Sequence, residues 1–469
     1  MKSKLVNSIR EAISLAGLRD GMTVSFHHHL RNGDFVLNMV MDQIAKLGIR
    51  DISVNASSLF DVHYPLVDHI KNNVVTEIAA DYISARLGRE ISRGILEKPV
   101  QFRTHGGRPN DIALGRTPID VAFIAAPTAD PMGNCSGKYG KSACGSLGYA
   151  YADAMFAKKV IVITDNLVPY PLQGWSIPEN YVDYVVTVDA IGNPKGIVSG
   201  TTQITRDPVG LVMASYAARV IDASGLLKDG FSFQTGAGGA SLAAAKCLKD
   251  IMLKKQIQGS FGLGGITGYM VDMLHAGCFK NLMDVQCFDL KAVESLRDDP
   301  RHQEISAIHY ASPGARSAVV DSLDVVILGA TEIDTDFNVN VHTDSNGVIM
   351  GGSGGHSDTA AGAKLSIIIA PMFRARLPIV TDRVTCISTP GKDIDVLVTQ
   401  GGIAVNPRRE DLRQNLQSAG LPVLDICQLK EKTERITGAP KKIARGDRVV
   451  AHVLDREGNL QDSIYNVNT

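Results

Sequence analysis

The sequence predicts an α/β fold of two tandem, related domains, each built on a mainly parallel, open sheet. Three observations carry this reading. Short β-branched runs alternate with amphipathic or Ala-rich stretches, one half of the chain echoes the other, and 469 residues exceed what one ordinary core holds.

The alternation predicts strands over Met22–Phe26, Asp51–Asn55, Val121–Ile124, Val160–Thr164 and Val185–Val188, with helices over Val36–Lys46 and Leu147–Ala157. The internal echo opens with Asp120-Val121-Ala122-Phe123-Ile124 against Asp324-Val325-Val326-Ile327-Leu328 and continues for some forty residues. Asp130 pairs with Asp334, and Gly145-Ser146-Leu147-Gly148 with Gly352-Ser353-Gly354-Gly355. Asp153 then pairs with Asp358, and Ala157-Lys158 with Ala363-Lys364. Asp20-Gly21 likewise recurs as Asp229-Gly230, each ahead of a strand and a loop. The boundary is expected in the helical stretch Val209–Ser224, dividing the chain into domains 1–215 and 216–469, with a shared site between them.

Composition excludes several classes of function. Hydrophobic residues are 44% and charged residues 21%, the balance of a folded globular chain. Lys plus Arg at 48 against Asp plus Glu at 49 leaves no field to draw nucleic acid or anionic lipid. Apolar runs such as Val160–Thr164, Val325–Ala330 and Ile367–Pro371 are too short to cross a bilayer, so no membrane partner is expected. The seven cysteines are scattered without CxxC spacing, so reduced thiols and a cytoplasmic location are expected.

Three glycine clusters mark the second half: Gly236-Ala237-Gly238-Gly239, Gly262-Leu263-Gly264-Gly265 and Gly351-Gly352-Ser353-Gly354-Gly355. Glycine lets a ligand approach the backbone, and each cluster follows an expected strand: Gly230–Gln234, Gln256–Ser260, and Val339–His342 with Gly347–Met350. No Lys-Ser or Lys-Thr follows them, and Ser241 stands where a dinucleotide fingerprint needs Gly or Ala, so nucleotide hydrolysis and hydride transfer are disfavoured. The first half offers His27-His28-His29-Leu30-Arg31 and Arg103-Thr104-His105-Gly106-Gly107-Arg108. Consecutive residues on a strand face opposite ways, so three histidines in a row do not read as a metal site. A cationic loop for a polycarboxylate fits better, with Arg31 and Arg108 as the candidates and Arg374 and Arg376 in reserve.

Gly236–Gly239 ahead of an Ala-rich helix, and Gly351–Gly355 running into His356-Ser357-Asp358, resemble the second domain of family I CoA-transferases, and Asp20-Gly21-Met22-Thr23 is similar to the start of the first. Within that superfamily the chain resembles the citrate lyase α-subunit family over essentially its whole length. The carrying segments include Ser25-Phe26-His27-His28, His105–Arg108, Lys141–Ala150, Ser260–Gly268, Phe337–Val341, Gly352–Gly362, Asp395–Thr399 and Gly402–Pro407. The resemblance implies two CoA-transferase-like domains, and relatives with a further arm ahead of the first one. It implies exchange of acetyl-S-carrier plus citrate for citryl-S-carrier plus acetate.

The partners it implies are citrate, an acyl carrier (γ) subunit, a citryl-lyase (β) subunit and further copies in an oligomer. The carrier, not this chain, would bear the phosphopantetheine-type group, and a need for Mg²⁺ is left open. The resemblance assigns Gly354, Gly355 and His356 to catalysis, and Arg31, His28, His105, Arg108 and Asn340 to substrate. It assigns Gly236, Gly238, Gly239, Gly262, Gly264, Gly265, Gly351 and Gly352 to the carrier group. His356 also has a scaffold reading, as a residue that packs or caps the helix beginning near Asp358.

The nucleophilic glutamate of ordinary family I enzymes is missing from Gly259-Ser260-Phe261-Gly262-Leu263-Gly264. Citrate brings its own carboxylates, so a mixed acetyl–citryl anhydride is the expected intermediate. Two other readings stand beside it: a transferase or hydrolase of free CoA with Glu332 or Asp334 as nucleophile, and a ligand-sensing module of the same fold. The sensing module is disfavoured by two complete halves and no basic helix-turn-helix segment.

Overall fold

A computed structural model describes residues 3–198, 203–440 and 445–467. Two large sheets form, each where β-branched and apolar runs supply residues for both buried faces. The first has ten strands in the spatial order Leu5–Val6, Tyr184–Thr187, Lys159–Thr164, Val121–Ala125, Thr23–Phe26, Ile52–Ala56, Val75–Ala80, Val100–Phe102, Val449–Leu454 and Leu460–Tyr465. Every neighbouring pair is parallel except the last hairpin.

The second sheet has nine strands: His302–Glu304, Phe279–Cys287, Gly259–Ile266, Ser232–Thr235, Val325–Leu328, Leu365–Ile369, Val396–Thr399, Gly402–Val405 and Val423–Leu424. Only Val396–Thr399 with Gly402–Val405 is antiparallel. In both sheets the chain runs outward through four strands and returns beside the first, at Val121–Ala125 and at Val325–Leu328. That reversal is where open α/β sheets place ligands, outside the carboxyl ends of the strands.

The repeat expected from the sequence has structural counterparts. Asp120 accepts the Thr23 N–H and pairs with Lys158, as Asp324 accepts the Ser232 N–H and pairs with Lys364. Asp130 gathers the N–H groups of Met132, Gly133 and Asn134, as Asp334 gathers those of Asp336 and Asn338. The 215/216 division falls inside the helix Pro208–Ala223, and the C-terminal hairpin extends the first sheet across it. A split at that point thus separates Val449–Tyr465 from the sheet it completes.

The halves meet in two related seams. His105 N–H donates to Gly354 O at 2.8 Å, and its counterpart Ala307 N–H donates to Gly148 O at 2.9 Å. Such contact demands bare backbone: a Cβ on Gly352 would lie 2.2 Å from Asp81 O, and one on Gly148 would lie 2.4 Å from Ile305 O.

One ion pair inside the first half is fully buried. Arg108 is 2% exposed and grips Asp153 through two bonds of 2.7 and 2.9 Å, while its Nε donates to Asn55 Oδ1 at 2.7 Å. Removing one partner strands a charge in low dielectric. Asp153→Ala should therefore lower unfolding stability by about 3–5 kcal/mol, read as a fall in the urea midpoint with unchanged slope.

Candidate functional site

The carboxyl ends of the first sheet's central strands supply one wall of a cleft between the halves. Thr23–Phe26 runs into His27–Arg31, Ile52–Ala56 into Ser57–Phe60, Val75–Ala80 into Asp81-Tyr82, and Val100–Phe102 into Arg103–His105. The second half faces them with Gln234, the bulge at Gly264/Gly265, Gln286, Phe288, Tyr310 and the Gly351–Gly355 loop. Gln286 Nε2 donates across the seam to His28 O at 2.9 Å.

Arg31 is the charge of this cleft. Its guanidinium carbon lies 5.3 Å from the Phe60 ring centroid and 4.9 Å from that of Phe288, one ring from each half. Among the described residues it makes no ion pair, and its Nη1 is buried without a hydrogen-bond partner. The residue has φ of 50°, a left-handed conformation that costs a non-glycine residue energy and recurs at ligand-holding positions. Burial lowers its pKa, opposed by Tyr82 and Tyr149.

Histidines line the floor. His28 stacks on Tyr149 with centroids 4.6 Å apart and on His105 at 5.5 Å, and its Nδ1 meets Ser57 Oγ at 2.7 Å. His27 and His29 lean on each other through their Nδ1 atoms, while their Nε2 atoms accept from the Ala125 and Tyr149 N–H groups. His105 Nδ1 is 2.9 Å from Asp81 Oδ2, and its ring lies 4.4 Å from that of Tyr149. Among the described residues no group of three or more His, Cys, Asp or Glu side chains is placed to hold a metal ion.

The structure thus brings Arg31, His28 and His105 together and takes other candidates out of the cleft. Arg108 is committed to Asp153 and Asn55, a correction to its expected substrate role. Asn340 is also corrected: fully buried, its Nδ2 donates to Glu332 and Thr343 while its Oδ1 accepts the His342 and Thr343 N–H groups. Arg374 and Arg376 sit on an exposed hairpin, Phe373–Arg374 against Leu377–Pro378.

His356 takes its scaffold reading, since Nδ1 meets Thr389 Oγ1 and Nε2 meets Gly329 O, both at 2.8 Å. The alternative nucleophiles are spent as well. Glu332 binds Asn340 and Thr385, and Asp334 holds its own turn.

The glycine clusters divide by role. Gly236 and Gly238 have room for a Cβ at ordinary contact distance, 3.6 Å from Ile327 O and 3.8 Å from Ser241 Oγ, beside the start of the helix Gly239–Lys255, whose first turn has no side-chain cap. Gly239 is tighter, facing Gln203 O at 2.9 Å. Gly262, Gly264 and Gly265 form no loop, because Gly259–Ile266 is a strand in the middle of the sheet. A Cβ there would strike Met270, Gln234 and Phe288 respectively, so packing explains these glycines.

In the third cluster the amides of Gly351, Ser353 and Gly354 are already bonded, to His342 O, His342 Nε2 and Asp81 O. The expected oxyanion role of the Gly354 N–H is therefore corrected, and Gly355, next to Tyr310 Oη, has an N–H without a hydrogen-bond partner among the described residues. Tyr149, Phe60 and Phe288 escaped sequence reasoning, because an aromatic residue beside a strand end reads as core.

Burial holds several of these histidines neutral. His27 and His356 are lowered to about 4 and His342 to about 3, while His28 and His29 also lie well below the usual value. As pH falls from about 6.5 toward 4, the unfolded chain takes up protons that the folded chain refuses, so stability declines through that window. The expected loss is up to about 1.4 kcal/mol per pH unit for each histidine, measured by urea unfolding at pH 7, 6 and 5. A flat profile across that range would contradict the buried, neutral assignment.

A family model described as citrate lyase, alpha subunit, matches residues 2–467. The citrate lyase alpha chain of Klebsiella pneumoniae is 50% identical over 464 residues, covering 99% of this chain and 91% of that one. The Escherichia coli K12 counterpart gives the same identity and the same two coverages. A Streptococcus mutans crystal structure, assigned to the alpha subunit of citrate lyase and solved in complex with citrate, superposes with a TM-score of 0.98 at 50% identity. It covers 100% of this chain and 92% of that one. A malonate decarboxylase alpha subunit from Acinetobacter baumannii shares the fold at a TM-score of 0.69 and 16% identity, over 94% of this chain and 91% of its own. With the two-sheet architecture and the cleft in place, the chain belongs to the citrate lyase alpha-subunit family.

Proposed function

We propose that this chain exchanges the acetyl group of an acyl-carrier thioester for citryl, and that Arg31 holds a carboxylate of citrate while the exchange occurs. The observation that carries this reading is a guanidinium near both Phe60 and Phe288 that, among the described residues, makes no ion pair and leaves its Nη1 without a hydrogen-bond partner. A half-buried cation with spare planar donors calls for a carboxylate, which it receives in bidentate form. The citrate complex of the Streptococcus mutans relative supports the choice of ligand.

The chemistry follows from what the cleft contains and what it lacks. A citrate carboxylate attacks the acetyl carbonyl, the carrier thiol departs, and the resulting mixed anhydride is attacked by that thiol at the citryl carbonyl, releasing acetate. Ser260 stands in the segment where ordinary relatives carry their nucleophilic glutamate, and its hydroxyl donates to Gly230 O. Substrate therefore supplies the nucleophile, while the protein supplies orientation, worth up to about 7–11 kcal/mol in well-placed cases. The Gly355 N–H is the available oxyanion donor. The phosphopantetheine-type arm approaches over Gly236 and Gly238, where side-chain-free backbone and a helix N-terminus favour an anion. The carrier and the citryl-cleaving subunit are the partners this sequence of steps requires, and the cytoplasm is where they would meet.

Arg31→Ala should raise the citrate KM by roughly 10–100-fold, the loss of a charge-assisted contact of about 1.5–3 kcal/mol, with carrier affinity within a factor of three of wild type. Normal citrate saturation in this variant would remove Arg31 from the site. Hydroxylamine added to enzyme and acetyl carrier without citrate should capture no acyl-enzyme. A labelled Glu or Asp would restore the covalent alternative.

A further inference from the structure

We infer that His105 is an acid–base catalyst of the exchange, oriented by Asp81, which passes a proton to the carrier sulfur as acetyl leaves and recovers it when that sulfur attacks the anhydride. This rests on the transferase reading above and assigns the proton that reading leaves unplaced.

Geometry singles out this pair. Asp81 is 1% exposed, and among the described residues its side chain makes one hydrogen bond, from Oδ2 to His105 Nδ1 at 2.9 Å, while Oδ1 has no partner. A buried aspartate in that position accepts the Nδ1 proton and its charge compensates the imidazolium, so the second proton, on Nε2, is the one the exchange uses. Nε2 is turned toward the glycine loop of the other half, 3.2 Å from where a Cβ on Gly354 would stand. The His105 side chain is 13% exposed, so it is reachable from the cleft.

The backbone holds the arrangement as a closed unit. His105 N–H donates to Gly354 O, and Gly354 N–H donates to Asp81 O, so the loop that flanks the ring also fixes the aspartate. The titratable groups around the ring are Asp81, His28, Tyr149 and, past Thr104, Asp358. Burial keeps His28 neutral and raises Tyr149 well above its ordinary value, so neither competes for the proton near neutral pH. Burial raises the pKa of Asp81, opposed by its hydrogen bond to His105 and by the charges of His105, Arg108 and Arg103.

The proton balance closes without a co-reactant. In the first half-reaction the citrate C–O bond to acetyl forms, the acetyl C–S bond breaks, and the sulfur receives the Nε2 proton as the bonding pair returns to it. In the second, Nε2 takes the S–H proton, the sulfur forms its bond to the citryl carbonyl, and acetate leaves with the electron pair of the broken C–O bond. His105 ends as it began, and no oxidation state changes.

The test is the pH dependence of acetyl-to-citryl exchange in the assembled complex with its acetylated carrier. His105→Gln should lower kcat by about 10²–10⁴-fold, with the citrate KM within threefold of wild type, and should remove one limb of the wild-type kcat–pH profile. Asp81→Asn should keep that limb but displace it, with a smaller loss of kcat. Added imidazole should restore part of the rate to His105→Gly, which also guards against loss of fold as the explanation. A wild-type limb in His105→Gln, or a loss confined to the citrate KM, overturns the proposal. Because Arg31→Ala is read through citrate KM and His105→Gln through the kcat profile, failure of one is distinguishable from failure of the other.

Discussion

Backbone-to-backbone contact at the seam between the halves is the constraint on which the site depends. Gly352 admits the Asp81 carbonyl, and Gly354 accepts from His105 while donating to Asp81. No side chain larger than hydrogen fits at Gly352 without moving Asp81 and Tyr82, the residues that flank Arg31 and orient His105. The positions of a catalytic ring, a cation and two aromatic walls are thus set by a loop whose own amides are mostly spent on holding it in place. Its contribution is spacing more than direct contact.

Duplication supplied two such seams, and they have diverged in what they carry. The frame is shared: Asp120 and Asp324 anchor the equivalent strands Thr23–Phe26 and Ser232–Thr235, and Asp130 and Asp334 close the same turn. The contents differ. Where the first seam has His105, the second has Ala307, and where the first half places His27-His28-His29 after its first strand, the second places Gly236-Ala237-Gly238-Gly239. One half therefore brings rings and charge, and the other brings accessible backbone. Such asymmetry suits two substrates of unlike character, a compact polyanion and a long flexible thioester arm.

The fold was legible because it is written in local pattern. Val36–Lys46 forms to the residue, and the five first-half strands lie within one position of their expected bounds, since β-branched runs and helical periodicity are properties of neighbouring residues. The helix expected over Leu147–Ala157 begins only at Ala150, the strand expected over Gln256–Ser260 runs instead from Gly259 to Ile266, and Gly347–Met350 forms no strand. The second glycine cluster failed for the converse reason. Gly262–Gly265 resembles a loop by composition, yet Met270, Gln234 and Phe288 lie over it, and only the packed sheet supplies those neighbours. The C-terminal hairpin joined the first sheet through a pairing with Val100–Phe102 across some 350 residues, a contact no local window contains. Within the site, Arg31 and Arg108 were indistinguishable as letters. What separates them is Asp153, forty-five positions from Arg108 and spatially adjacent to it.

That separation explains why one arginine is fit for a substrate and the other is not. Arg108 sits in a place where an unpaired charge is intolerable, and its partner is built in; the pair costs desolvation and returns position. Arg31 is less deeply buried, and instead of a carboxylate it has the faces of Phe60 and Phe288, which favour a cation without consuming its in-plane donors. The two aromatic faces hold the group without accepting its hydrogen bonds, and its Nη1, without a partner among the described residues, is the kind of donor a carboxylate uses. Because Phe60 comes from one half and Phe288 from the other, this donor is presented only when the seam is closed. The Arg31 guanidinium is thereby tied to the same backbone contact that positions His105, so the cation and the imidazole ring are held in register by one interface.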